Sequence, residues 1–147
     1  MTVRAGTAAD APRALEIWRA AVDATHRFLS AEDRAALDGI VAAMLPQAPL
    51  TVIEDASGAV AGFMILDGDR IEALFVDPAA HGRGFGGALI AHALACVDQP
   101  RVDANEQASN ALPFYLAKGF VQIGRSDLDD AGRPYPIVHL RYAGAAA

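Results

Sequence analysis

"ALFVDPAAHGRGFGGALIAHAL", residues 73–94, passes from an apolar, strand-like stretch through four glycines in seven positions (81–87) into an apolar run too long for a strand. Gly82, Gly84 and Gly87 satisfy the G-x-G-x-x-G spacing of a dinucleotide turn. Context argues against that reading. In a dinucleotide fold the first glycine follows its strand almost at once, in a parallel sheet of repeated strand-helix units. Here "DPAAH" separates Val76 from Gly82, the strand closes an antiparallel meander, and the chain downstream is too short for the second half of a doubly wound sheet. A nicotinamide or flavin oxidoreductase is thus a remote alternative, rejected on topology, since Asp103 does stand near where a ribose-binding acid would be expected. The physical use of the glycines survives the rejection. Without side chains, successive backbone N–H groups converge on an anion, and the loop opens a helix whose N-terminus carries partial positive charge, so a pyrophosphate fits. The competing use, close packing of a helix on a sheet through Gly84, Gly86 and Gly87, explains less well why the glycines gather at the helix start.

The 147 residues, 53 % of them apolar, make one domain, 1–147, with a substantial core. No apolar run approaches the roughly 20 residues of a membrane helix, and "MTVRAGTAAD" is no signal peptide, so a cytoplasmic protein without membrane contact is expected. A net charge of -6 offers no basic face to a phosphate backbone, which excludes nucleic acid as a partner, although Arg83 within the glycine run suits one small anion. The lone Cys96 makes no internal disulfide and is read as an inert core thiol; His92 and His139 fall within regular elements, and no clustered ligands suggest a metal. Both a monomer and a homodimer fit the sequence.

Around the glycine loop the elements follow from pattern. "TVRA" is a short strand; Thr7 and Asp10 are candidate caps for a helix carrying Leu15, Ile17, Trp18 and Val22; Ser30 and Asp33 approximate a capping box for a second helix that fades before Pro46. "LTVIED", "AVAGFMIL" and "RIEALFV" are three antiparallel strands joined by the turns "ASG" and "DGD". After the third helix, "RVDA" is a fifth strand, Ser109 or Asn110 caps a helix that Gly119 stops, and "FVQIG" and "YPIVHLRYA" close the sheet around the polar connection "RSDLDDAGRP". "GAAA" is a loose tail.

The string 73–94 resembles the acyl-CoA signature of the GNAT superfamily of N-acetyltransferases, Gln or Arg followed by x-x-G-x-G or A, with Gly84 and Gly86 on the glycine positions. "NALPFYLAKGF" is similar to that family's second mark, an aromatic-Tyr pair shortly before Gly-Phe. Over nearly the whole chain the sequence resembles the bacterial YjaB-type members, through "VDATHRFLSAE", "LPQAPL", "GFMIL", "ALFVDP", "NEQ" and "GRSDLDDAGRPYPIVHL". Two positions depart from the family pattern: His81 replaces the usual Gln or Arg, and Ala108 stands where many members carry a cofactor-binding Asn, with Asn105 and Asn110 as possible substitutes.

The resemblance implies a mixed α/β (α+β) fold: a central, mostly antiparallel sheet of six to seven strands, splayed between strands four and five and flanked by about four helices. It implies acetyl-CoA as cosubstrate, its pantetheine arm paired with the backbone of Leu74, Phe75 and Val76 and its pyrophosphate on that of Gly82, Arg83, Gly84, Phe85, Gly86 and Gly87. The reaction implied is direct transfer of an acetyl group to a primary amine, of a small molecule or of a protein lysine or N-terminus, in a ternary complex. Such transfer needs a neutral amine, a held oxyanion and a proton for the departing thiolate. Backbone N–H groups near Phe75 and Val76 serve the oxyanion, Tyr115 is the candidate acid, and Asp103 the candidate base with Glu72 in reserve. His26 and Phe28, in the connection of the first two helices, and Trp18 before them are expected to shape the acceptor cleft. A non-catalytic CoA-binding module is the alternative that keeps the loop without turnover.

Overall fold

Strand-forming apolar runs separated by compact turns lay down the sheet. A computed structural model describes residues 1–144, so of the tail only Gly144 lies within the described residues. The strands are β1 (Thr2–Ala5), β2 (Leu50–Glu54), β3 (Val60–Asp67), β4 (Arg70–Val76), β5 (Arg101–Asn105), β6 (Phe120–Ser126) and β7 (Ile137–Tyr142). The helices are α1 (Ala11–Thr25), α2 (Ala31–Met44), α3 (Phe85–Cys96) and α4 (Ala111–Ala117). The sheet order is β1-β2-β3-β4-β5-β7-β6. Neighbours are antiparallel except β4 and β5, which run parallel, with α3 as the crossover. This is the expected open, mostly antiparallel sheet, and with a single parallel pair it leaves no room for a doubly wound dinucleotide fold.

Each face of the sheet has its own core. On one, Ile17, Trp18 and Val22 of α1 pack with Val52, Phe63 and Ile65. On the other, Phe85, Leu89, Ile90 and Ala93 of α3 and Tyr115 of α4 pack with Met64, Val102, Phe120 and Leu140. Trp18 therefore serves α1's apolar stripe, as its spacing with Ala14, Ile17, Ala21 and Val22 requires, and the Arg34 guanidinium lies 4.9 Å over its ring.

The decisive irregularity is in β4. Its register against β3 puts Ile65 opposite Ala73 and Leu66 opposite Ile71, so Glu72 is an extra residue, a β-bulge. The bulge reverses the side-chain alternation: Ile71, Leu74 and Val76 face the α3 core, whereas Ala73 and Phe75 face the α1 core. Pairing of β4 with β5 stops at the same place, after Arg70↔Arg101 and Ile71↔Val102. A bulge bends and twists its strand, so β4 swings away from β5 beyond Ile71.

Several local expectations need correction. Cys96 is exposed, because the buried stripe of α3 ends at Ala93 and Cys96 is the last helical residue beyond it. β6 continues through Arg125 and Ser126, so the polar connection begins later than its composition suggests. The Ser30 hydroxyl accepts from Asp33 N–H, but the Asp33 carboxylate turns away to the Tyr135 hydroxyl and Arg133, leaving the capping box half-formed. Thr7 and Asp10 do form a capping box, on the 3-10 turn that precedes α1, while Asn110 at the start of α4 makes no side-chain cap.

Phe63 is 1 % exposed and tilts against Phe75 with ring centroids 5.7 Å apart. Phe63→Ala should lower unfolding stability by about 3–5 kcal/mol, read from the midpoint of urea denaturation with an unchanged slope.

Candidate active site

The splay exposes main-chain groups. Asp77 N–H donates to Ala61 O at 2.8 Å, which fixes the alternation in the β3–β4 ladder: Asp77, Phe75 and Ala73 exchange bonds with β3, and Leu74 and Val76 direct theirs to the other side. On that side β5 has already diverged. Leu74 and Val76 thus present unpaired N–H and C=O groups, while those of Phe75 face β3.

Those groups open into a cavity of about 570 Å³. It is walled by Leu74, Phe75 and Val76 of β4, by the glycine turn, by Asn110, Phe114, Tyr115 and Lys118 around α4, and by Ala21, Thr25 and His26 at the end of α1. Its far end is the start of α3. Gly82 and Gly84 have φ of +77° and +85°, the left-handed region where a side chain is strained. The first intrahelical bond of α3 runs from Ala88 N–H to Gly84 O. The N–H groups of Phe85, Gly86 and Gly87 therefore have no acceptor inside the helix, the condition for holding an anion. Gly86 also has the packing use: a Cβ there would stand 3.1 Å from the Phe114 ring. The packing use is thus realised at Gly86, beside a helix start whose geometry suits the other.

Lys118 is a residue sequence reasoning missed. Its Nζ lies 3.1 Å from where a Gly87 Cβ would be, so it places a cation beside the N-terminus of α3. Only the fold brings α4 to that helix start. Asn110 also reaches the cavity, whereas Asn105 spends its side-chain oxygen on Gln107 N–H. Arg83, between two glycines, is exposed and does not line the cavity, and His81 at the loop entrance does.

Tyr115 is 6 % exposed overall, packed edge-on against Phe114 and Phe120, and lines the cavity. Burial alone pushes its phenol well above the usual tyrosine range, so it stays protonated. His26, half-buried, lines the same cavity, and burial lowers its imidazole below the ordinary 6.5. Phe28 stacks beside His26 at 5.3 Å and against Tyr135 at 5.7 Å, tying the α1–α2 connection to the one between β6 and β7. Tyr135 in turn meets Asp33 and Ser30. This aromatic cluster unites the regions expected to form the acceptor cleft, but of its members only His26 lines the cavity; Phe28 packs behind it.

Trp18 and Asp103 are not brought to the cavity. Trp18 is core, as above. The Asp103 carboxylate is divided between Arg70, Nη2 to Oδ2 at 2.7 Å, and His139, Nδ1 to Oδ1 at 2.7 Å; His139 Nε2 meets Ser126 Oγ at 2.7 Å. Glu72, in the bulge, lies 3.7 Å from Arg70. Among the described residues no cluster of His, Cys, Asp or Glu could hold a metal ion, and no helix is long and apolar enough to cross a membrane.

Residues 21–135 match the model of the acetyltransferase (GNAT) domain. The chain belongs to the GNAT acetyltransferase family. It is 46 % identical over 129 residues to the peptidyl-lysine N-acetyltransferase YjaB of Escherichia coli K12, covering 88 % of each chain. It is 41 % identical to the YjaB of Salmonella typhimurium LT2, covering 97 % of this chain and 98 % of that one. The solution structure of apo YjaB from Escherichia coli superposes with a TM-score of 0.93 at 42 % identity, covering 98 % of both chains. As a GNAT protein the chain is an N-acetyltransferase, an enzyme that moves an acetyl group to an amine. The resemblance seen in the sequence is thereby borne out.

Gly84→Ala would place a methyl in the left-handed region at the helix N-cap. It should cost about 1–2 kcal/mol, measured by denaturant unfolding, although little surrounds the site sterically.

Proposed function

We propose that this N-acetyltransferase takes the acetyl group of acetyl-CoA and delivers it to the ε-amine of a lysine in a protein or peptide, acting as one domain, 1–147, in the cytoplasm. The acceptor class rests on the relatives named peptidyl-lysine N-acetyltransferases. The cosubstrate site rests on one observation above all: the unpaired edge of β4 opens into a cavity that ends at a positive-φ glycine turn and three unbonded helix N–H groups.

The residues fit the parts of acetyl-CoA in order. Leu74 and Val76 offer a strand-like edge to the amide-bearing pantetheine arm, as an added strand would find it, with Phe75 between them forming the wall. The N–H groups of residues 82–87, with Lys118, receive the pyrophosphate, and Arg83 adds its charge from the exposed side. The N–H of Val76, free toward the gap, is the donor placed to hold an oxyanion. Tyr115, kept protonated by burial, donates to the departing thiolate sulfur. No enzyme nucleophile is needed: Cys96 is exposed at the end of α3 and does not line the cavity. His26 and Phe28 border the acceptor side.

The test is acetyl-CoA consumption with lysine peptides, polyamines and free amino acids side by side, together with calorimetric titration of CoA. Transfer to peptides above the other amines supports the reading. CoA binding without turnover on any amine would mean a binding module instead. Tyr115→Phe should lower kcat by about 100-fold or more while leaving CoA affinity within a few-fold; full activity in that variant would remove the phenol as proton donor.

A further inference from the structure

A lysine acceptor reaches an enzyme as an ammonium, its unperturbed pKa being about 10.4, and must lose a proton to become a nucleophile. No Asp or Glu lines the cavity among the described residues. Asp103, the acid on β5, has both oxygens engaged by Arg70 and His139. The cavity does contain a base with a defined free lone pair.

We propose that His26 Nε2 is the group that removes the proton from the acceptor ammonium, with Thr25 as the positioning residue that fixes the tautomer. This rests on the acetyl-transfer reading above. The argument is one of hydrogen-bond direction. Thr25 Oγ1 lies 2.7 Å from the carbonyl oxygen of Ala21 and 2.7 Å from His26 Nδ1. A carbonyl only accepts, so the single hydroxyl proton of Thr25 goes to Ala21 O. Thr25 can then only accept from His26, which places the imidazole proton on Nδ1 and leaves the Nε2 lone pair uncommitted. Fixing one ring nitrogen through its partner is how a histidine is set for proton transfer at the other.

The surroundings favour the neutral, accepting form. His26 is half-buried at the end of α1, flanked by the Phe28 ring 5.3 Å away. The titratable groups that share its cavity are Tyr115, His81 and Lys118, none of them an anion near neutral pH. The same apolar lining disfavours the ammonium and so lowers its hold on the proton. Protons balance as follows. One leaves the ammonium for His26 Nε2; the freed amine forms the C–N bond at the thioester carbonyl; the C–S bond breaks as Tyr115 gives its proton to sulfur, which leaves as a thiol; and the second proton shed by the nitrogen restores the Tyr115 phenol. The imidazolium then returns its proton to solvent.

The experiment is a pH profile of kcat/KM for a lysine peptide at saturating acetyl-CoA, with acetyl-CoA affinity and thermal unfolding measured in parallel. Wild type should show an acid limb with a midpoint below 6.5, the ordinary imidazole value. His26→Gln should lose about 100-fold near neutral pH and lose that limb, with unchanged acetyl-CoA affinity. Thr25→Val should lower the rate and displace the limb, and Thr25→Ser should restore both. A His26→Gln enzyme within about twofold of wild type, or one that keeps the acid limb, overturns the proposal while leaving the acetyltransferase reading intact. If that variant does not fold, an unchanged limb in Thr25→Val overturns it. A wild type that binds CoA yet acetylates no amine defeats the underlying reading instead.

Discussion

The separation of β4 from β5 is the constraint on which the rest of the site depends. Two parallel pairs, Arg70↔Arg101 and Ile71↔Val102, hold the root of the gap, and the bulge at Glu72 turns the next residues away. An open sheet edge carries a row of unpaired polar groups that a protein must cover or use. Here the edge is buried in a cavity between α1, α3 and α4, so water and an extended ligand are the partners left to it. The bulge does a second thing. By flipping the side-chain alternation it sends Leu74 and Val76 into the α3 core while Phe75 packs against Phe63 in the α1 core. β4 is anchored on both faces at the residues where it lacks a neighbouring strand.

The second helix, α2, lies outside the cavity lining and is held largely by polar contacts. α2 has no fully buried residue, and only Leu37 and Val41 pack partly against the core. Its position relies instead on Asp38, bonded by Arg19 of α1 and Arg34 of α2, which hold its carboxyl down to about 2, and on Arg34 bonding Asp23. At its N-terminus Asp33 receives the Tyr135 hydroxyl and Arg133 from the β6–β7 connection. Surface ion pairs each contribute little, about 0–1 kcal/mol. A helix held this way is less firmly fixed than α3, whose stripe of Phe85, Leu89, Ile90 and Ala93 is buried.

Element types were legible because their signals are local: apolar runs between turn residues for β2 to β4, a capped amphipathic stripe for α1, glycines opening α3. The splay was legible only through family resemblance, since a bulge depends on which residues oppose one another across two strands, and nothing in "RIEALFV" marks Glu72 as the extra one. Cys96 misled because an alanine-rich helix looks apolar all round, while burial follows the larger side chains of one stripe. The family resemblance points to Asp103 as a base, but nothing near it in the sequence marks its partners: Arg70 and His139 lie 33 and 36 residues away in the chain. Lys118 escaped notice for the same reason. A cation acquires its meaning at the N-terminus of a helix that packing, not sequence proximity, sets beside it.

In the roles proposed for them, Tyr115 and His26 would owe two opposite chemical functions to one environment. Removing water disfavours charge of either sign, so the phenol is pushed up and the imidazole down by the same burial. Both groups are left uncharged, one with a proton to give and the other with a lone pair to receive. A carboxylate in the same lining would undo this, raising the imidazole and pairing with the incoming ammonium instead of accepting its proton. The positive elements, Lys118 and the start of α3, gather around the glycine turn, where the proposed ligand group is an anion. On the proposed reading the cavity divides its electrostatics along its length, attractive to a diphosphate at one end and unfavourable to charge where the amine must become neutral.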